Sequence, residues 1–470
     1  MANNVIFKLF RTYNHPYLYD RHTNSLAVLS EDEYKELGNV KQGNFPEIES
    51  NVIRKYQEYG MMNPNVVEKI EHPLNLLVES YLKNRLNHLI LQVTQQCNLR
   101  CTYCQFSGNY YERYREHTSR SMSWDTAKTA IDFYLARSRE LPDITIGFFG
   151  GEPLLEFELI KKCVDYVSTQ IEGRKATFTI TTNGTLLTDS IIAFLAKHEF
   201  QLAISLDGSK DDHDATRKFP NGRGTFDLIM DNINKIQKEY PEFDKNTGIL
   251  ATFNPRMDID CSLTYFNSCK VFENRMITYN PMNESDLTQE LHYNDKHHLV
   301  TTYEYIKMLC SLVGKLDASQ ISPLMNNNRV AINSRYRQLH NRSTAYAVMH
   351  HSGPCMPGVK RMFVNVDGDI FPCERVSETK SYFNIGNICT GFDLEKIRQI
   401  LNHGQLSERE CSNCWALRQC TQCVAEVSFD VEPTKEDKLR KCGKGYPELI
   451  LNLYEMAVLC EFGFTAEGLR

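Results

Sequence analysis

Three cysteines stand close together in Cys97-Asn-Leu-Arg-Cys101-Thr-Tyr-Cys104, a C-x3-C-x2-C spacing. Thiolates at such short intervals bind zinc or iron–sulfur clusters. Three thiolates with no fourth leave one iron of a cubane cluster open to a substrate or cofactor. A cluster closed by four protein ligands has no such position. A second group, Cys411-Ser-Asn-Cys414 and Cys420-Thr-Gln-Cys423, is followed by Cys442. Zinc ribbons separate their two cysteine pairs by roughly 12–20 residues, so that two knuckles can face each other. Here five residues separate Cys414 from Cys420. That crowding suits a compact cluster-binding turn better, with zinc as the alternative. Cys355 and the stretch Gly368-Asp-Ile-Phe-Pro-Cys373 bring the patterned cysteines to ten of sixteen. Cys163, Cys261, Cys269, Cys310, Cys389 and Cys460 are scattered and read as small buried side chains. Cys389 is the exception to watch, because it lies between patterned groups.

These residues need a scaffold. Leu89–Thr94, just before the first triad, has strand propensity. The triad therefore falls on a loop after a strand, where α/β folds place their sites. Further strands are expected at Ile144–Phe149, Thr177–Thr182, Leu202–Leu206, Ile249–Phe253 and Met276–Tyr279. Helices are expected between them at Trp124–Leu141, Leu155–Glu172, Asp189–His198, Thr225–Glu239 and Ser262–Phe272, the first capped by Ser123. Six strands alternating with helices predict an α/β fold with a parallel, partly closed barrel.

Residues 1–86 contain no cysteine and read as a separate unit. Val5–Phe10, Tyr17–Asp20 and Ser25–Leu29 are expected strands. Ser30 and Glu33 form a capping box at a helix start, and helices are expected at Ile48–Tyr59 and Leu74–Leu86. Three strands and three helices suggest a winged-helix-like module. Residues 1–88 carry ten Lys and Arg against eleven Asp and Glu, so the module has no basic footprint for DNA. A sheet edge could instead hold an extended peptide by strand addition. The expected division is 1–86 for this module, 87–300 for the barrel, 301–345 for a helical bridge and 346–470 for a cysteine-rich domain with a strand near Arg361–Val366.

Composition narrows the function class. The chain of 470 residues is 41% hydrophobic and 24% charged, which allows an ordinary globular core. Its net charge of −6 disfavours a general nucleic-acid binder. No apolar run approaches the roughly 20 residues of a membrane span, and the first residues are too broken for a signal peptide. A cytoplasmic, reducing location is expected, where cysteines serve metals rather than disulfides.

At Cys97–Cys104 the sequence resembles the radical S-adenosylmethionine (radical SAM) superfamily, with Tyr103 as its usual aromatic. Gly150-Gly151-Glu152-Pro153 is similar to the family's glycine-rich motif for the methionine end of SAM. Glycines let backbone groups approach a ligand, and the carboxylate can accept from an ammonium. Thr181-Thr182-Asn183-Gly184 and Ser205-Leu206-Asp207-Gly208 follow the third and fourth strands, with His213 to Arg217 downstream. The resemblance implies SAM contacts at Asn183, Ser205 and Arg217. Taken singly, the Asn-Gly and Asp-Gly pairs read as turn chemistry and Arg217 as an ion pair.

The C-terminal part resembles the SPASM domain of peptide-modifying radical SAM enzymes. Cys355-x12-Gly368-x4-Cys373 and Cys411-x2-Cys414-x5-Cys420 fit its pattern, and Cys423 follows one residue early. The resemblance implies three [4Fe–4S] clusters. Cys97, Cys101 and Cys104 would hold the SAM cluster, and Cys411, Cys414, Cys420 and Cys442 an auxiliary one. Cys355, Cys373 and Cys423 would hold another auxiliary cluster, with an open iron or with Cys389 as fourth ligand. The N-terminal module resembles leader-peptide recognition elements. Phe371-Pro-Cys373-Glu374-Arg375-Val376 resembles maturases of cysteine-rich precursors, the sactipeptide and ranthipeptide type.

The implied activity is thioether crosslinking of a cysteine-rich, ribosomally made precursor peptide, with a flavodoxin- or ferredoxin-type electron donor. Glu374 would be the base for the substrate thiol, against an ion pair with Arg375. No nucleic acid or membrane partner is expected. The alternatives are a sulfatase-type, formylglycine-forming maturase, a carbon–carbon crosslinking maturase, and a zinc-stapled peptide-binding protein.

Overall fold

Three short strands open the chain: β1 (Phe7–Arg11), β2 (Pro16–Asp20) and β3 (Ser25–Val28). They pair as an antiparallel meander in that order. The computed structural model describes residues 4–106, 110, 115–171, 173–254, 259–272, 275–282, 295–351 and 355–466. Met1, Ala2 and Asn3, and Glu172 at the end of one expected helix, lie outside these.

Ser30 starts helix Glu31–Lys41 with the expected capping box. The Glu33 amide donates to Ser30 Oγ at 3.3 Å, and the Ser30 amide to Glu33 Oε2 at 2.7 Å. Helices Asn51–Glu58 and Val78–Asn84 follow. Leu18, Leu37, Ile53 and Met62 form a core belonging to this module alone. Phe10, Tyr17 and Tyr19 pack instead into the main core. A two-residue strand, β4 (Lys69–Ile70), lies between the last two helices.

Six parallel strands form the barrel: β5 (His88–Thr94), β6 (Asp143–Gly150), β7 (Lys175–Thr182), β8 (Gln201–Ser205), β9 (Thr247–Phe253) and β10 (Ile277–Pro281). Their spatial order matches their chain order. Helices cross between them at Trp124–Ala136, Phe157–Gln170, Asp189–Lys197, Phe226–Glu239 and Ile259–Ser268. Ser123 caps the first, accepting from the Thr126 amide at 3.0 Å.

Side chains alternate along these strands. Ile144, Ile146, Phe148, Phe178, Ile180, Leu202, Ile204 and Ile249 are buried under the helices. The opposite face carries Thr145, Thr177, Thr179, Ala203, Gly248 and Thr252, which are only half-buried. This face thus mixes small and polar side chains with Phe149 and Leu250, and a cavity remains at its end, unlike a barrel packed throughout with branched residues.

The cysteine-rich part adds β11 (Val348–Met349), β12 (Met362–Val364), β13 (Asp369–Phe371), β14 (Gly386–Asn387) and β15 (Gly391–Phe392). β12 pairs in parallel with β5, Phe363 opposite Ile90, and continues the barrel into a ten-stranded sheet. Residues 346–470, the expected cysteine-rich domain, therefore share a sheet with the barrel. β11 pairs with β4 of the N-terminal unit. Helices Asp295–Leu312 and Asn326–His340 fill the expected bridge. The 27-residue helix Lys435–Glu461 has no counterpart in the sequence expectations, because Gly443, Gly445 and Pro447 punctuate it. Its end returns to the N-terminal module: Glu461 accepts from Thr12 Oγ1 at 2.6 Å and from the Tyr17 hydroxyl at 2.9 Å. No helix among the described residues is long and apolar enough to cross a membrane.

Candidate functional site

One cavity of about 380 Å³ opens at the C-terminal ends of the barrel strands. Cys97, Cys101, Cys104, Tyr103, Gly150, Gly151, Glu152, Asn183, Ser205 and Arg217 all line it. Five separate stretches of sequence thus meet in one place.

The cysteine loop is fastened on both sides. The Arg100 amide donates to the Lys218 carbonyl at 2.8 Å, and the Thr102 amide to the Thr216 carbonyl at 3.1 Å. Burial pushes the Cys97 thiol up to about 12 and the Cys101 thiol up to about 11. Such thiols stay protonated until a metal displaces the proton. No three cysteine sulfurs among the described residues lie within 4.8 Å of one another. Four thiolates on one zinc sit about 3.8 Å apart, given Zn–S near ~2.3 Å. A cubane cluster binds each thiolate to a different iron and spaces them wider, so the donor set fits a cluster better than zinc.

The two glycines serve this loop. The Gly151 amide donates to the Thr94 carbonyl at 3.1 Å, and the Glu152 amide to the Gln96 carbonyl at 2.8 Å. A Cβ on Gly150 would collide with the Thr94 carbonyl, and one on Gly151 with the Gln96 carbonyl. Glu152 is wholly buried and accepts from Thr182 Oγ1 and the Asn183 amide, both at 2.7 Å. Burial raises its pKa to about 7. Its oxygens brace β6 against β7. Asn183 donates to Asn98 Oδ1 at 2.8 Å and so ties the third strand end to the cysteine loop.

Asp207, read from sequence as part of a turn, is the hub of the far wall. It is 2% exposed. Its Oδ2 accepts from Tyr103 Oη at 2.6 Å and Arg217 Nε at 2.8 Å, and its Oδ1 accepts from the Thr252 amide at 2.9 Å. The carboxylate holds Arg217 strongly protonated, and the guanidinium acts on Cys101 in turn. Its place at a barrel strand end was the available signal.

A second buried network escaped the sequence. Arg115 Nε pairs with Glu378 Oε1 at 3.0 Å, and Gln92 Nε2 donates to the same oxygen at 2.6 Å. Arg115 also donates to the Gln95 carbonyl at 3.3 Å. The cysteine loop is thereby linked to the cysteine-rich part.

There, Cys411, Cys414, Cys420 and Cys442 line one cavity of about 390 Å³. Lys438 Nζ lies 3.1 Å from Cys411 Sγ. Cys355, Cys373 and Cys423 act on one another electrostatically and sit together. Asn387 stands opposite Asp369 in an antiparallel pair, so the register leads toward Cys389 in the direction opposite to Cys373.

Glu374 pairs with Arg361 and, at 3.9 Å, with Arg375 Nε. Its other oxygen, Oε2, is buried without a hydrogen-bond partner among the described residues.

Residues 91–255 match the model of the Radical SAM superfamily, and the fold is the radical SAM α/β fold. A serine-type anaerobic sulfatase-maturating enzyme of Bacteroides thetaiotaomicron is 24% identical over 380 residues, 76% of this chain and 87% of that enzyme. The uncharacterized protein MJ0907 of Methanocaldococcus jannaschii is 36% identical over 145 residues, 31% of this chain and 46% of that protein. This chain therefore spans less than half the length of the latter. A solved structure described as native anSMEcpe with bound AdoMet superposes with TM-score 0.55 at 20% identity, over 77% of this chain and 98% of that one. The same enzyme with AdoMet and the Kp18Cys peptide gives TM-score 0.54 at 20% identity, with the same coverage of both chains.

Proposed function

We propose that this protein is a radical SAM maturase that closes intramolecular thioether crosslinks in a cysteine-rich, ribosomally made precursor peptide. One cavity carries the proposal: it gathers Cys97, Cys101 and Cys104 with Tyr103, Arg217 and the paired glycines at the barrel strand ends. When bound, a three-thiolate [4Fe–4S] cluster and S-adenosylmethionine supply reductive cleavage and a hydrogen-abstracting radical. The chain supplies the rest. Asp207 fixes Arg217 and Tyr103 against the cavity wall. Asn183 and Ser205 line it at the next strand ends. The cavity of about 380 Å³ leaves room for a peptide residue beside the cofactor. Glu374 Oε2, without a donor among the described residues, takes the substrate thiol proton. Net, one C–H and one S–H bond give way to a C–S bond, with loss of two electrons and two protons.

Cys355, Cys373 and Cys423 would hold one auxiliary cluster, and Cys411, Cys414, Cys420 and Cys442 the other. These give electrons a path to a flavodoxin- or ferredoxin-type partner. The edges of the β1-β2-β3 sheet suit strand addition by a leader peptide.

Formylglycine formation is the competing activity. It is favoured by the match to the sulfatase-maturating enzyme, of which 87% is covered. The test is the mass of a cysteine-rich peptide encoded beside this protein, after anaerobic turnover with SAM and reductant and then thiol alkylation. Paired hydrogen loss with thiols no longer alkylatable supports crosslinking. Loss of sulfur, or paired hydrogen loss with every thiol still free, overturns it.

A further inference from the structure

His351 lines the four-cysteine cavity and, with two neighbouring histidines, belongs to a group of side chains given no part in the barrel or in the cysteine ligand sets. His350 and His351 follow β11, and His403 opens the 3-10 turn His403–Ser407. All three are buried, at 8%, 2% and 2% exposure. One ring nitrogen from each lies within 4.8 Å of the other two.

Buried polar atoms are normally hydrogen-bonded, and exceptions need a cause. Here Nε2 of His350 and both ring nitrogens of His351 and His403 are buried with no hydrogen-bond partner among the described residues. His403 approaches the backbone carbonyls of Ile400 and Gln422 without a well-formed bond to either. His350 Nδ1 lies 2.9 Å from the His351 carbonyl, which as an N–H donor fixes its tautomer and leaves Nε2 as an acceptor. Gly404 makes room for that nitrogen: a Cβ there would stand 2.6 Å from His350 Nε2. Burial holds the rings neutral, the form that ligates a metal. Lys438 opposes added positive charge, but its ammonium is engaged by Ser407 Oγ at 2.6 Å and Cys411 Sγ at 3.1 Å.

We infer that His350, His351 and His403 form a mononuclear site for a divalent transition metal of the zinc type, separate from the cysteine sites. Three imidazoles suit zinc and leave a fourth position for water. The ion would staple β11, and through it β4 of the N-terminal unit, to the turn before Cys411.

The inference does not rest on the proposed reaction, and its test uses cobalt(II) as the probe. Iron-loaded full-length protein is titrated with cobalt(II) at micromolar free ion, and absorbance and metal content are read. The expected result is one bound equivalent with d–d bands and no thiolate charge-transfer band. That equivalent is lost in His351→Ala and in the volume-conserving His403→Gln, with iron content and circular dichroism unchanged. No binding beyond iron overturns the site. So does cobalt held through thiolate, or undiminished binding in the His351→Ala/His403→Ala double variant.

Discussion

Arg217 Nε stands 2.8 Å from Asp207 Oδ2, both side chains buried, on the wall that faces Cys101. The same carboxylate oxygen holds Tyr103. Replacing Asp207 by Asn leaves a buried guanidinium without its counter-charge, a loss of roughly 3–5 kcal/mol. Arg217 and Tyr103 then shift within the cavity. We expect 5′-deoxyadenosine formation to fall on the order of 100-fold, since ångström-scale misplacement has that effect. Iron content, measured alongside, stays at the wild-type level.

Gly151 packs against the carbonyl of Gln96, directly before Cys97. Gly151→Ala pushes that loop outward and separates Cys97 from its partners. Iron should drop by the share of one cluster, with the auxiliary absorption retained. Gly38→Ala is the control, because nothing lies within 4 Å of a Cβ there. In the middle of a helix it should stabilise by about 0.5–1 kcal/mol and leave iron unchanged.

Glu374 is argued to act on the substrate thiol. Glu374→Gln should slow peptide crosslinking at least roughly tenfold at neutral pH. The deficit should shrink as pH rises, because the thiol then ionises unaided. SAM cleavage without peptide should be unaffected. An unchanged crosslinking rate would leave Glu374 as the ion-pair partner of Arg361 alone.

His213 accepts from the Asp207 amide at 3.2 Å through Nδ1 and lies 2.9 Å from Thr225 Oγ1 through Nε2. Burial lowers its pKa from 6.5 to about 4. The unfolded chain binds this proton first, so stability is full above pH 6.5 and declines as pH falls toward 4. The decline amounts to roughly 3 kcal/mol at most. Denaturant unfolding across that window should show one fewer proton of linkage in His213→Asn.

What was legible in the sequence was local. The C-x3-C-x2-C loop, the Ser30–Glu33 capping box and the strand periods each depend on residues a few positions apart. Pairings across the chain were not legible. β12 joins β5 through residues some 270 positions away, and nothing in Met362–Val364 names that partner. Asp207 looked like turn chemistry because its partners Tyr103 and Arg217 sit on other segments. Glu152 was read as facing the ligand; it lines the cavity, and its bonds from Thr182 and Asn183 came from strand ends that the motif alone did not name. Gly443, Gly445 and Pro447 concealed the last helix, which tertiary packing forms in spite of them. His350, His351 and His403 carry no spacing signal, since the fold alone brings the third to the first two.

The most direct test is anaerobic 5′-deoxyadenosine formation from SAM by reconstituted wild-type protein and its Cys101→Ala variant, with iron counted in both. Formation by the wild type and none by the variant, which keeps its auxiliary iron, is the predicted result. Cleavage retained in the variant, or absent from iron-loaded wild type, would contradict the account.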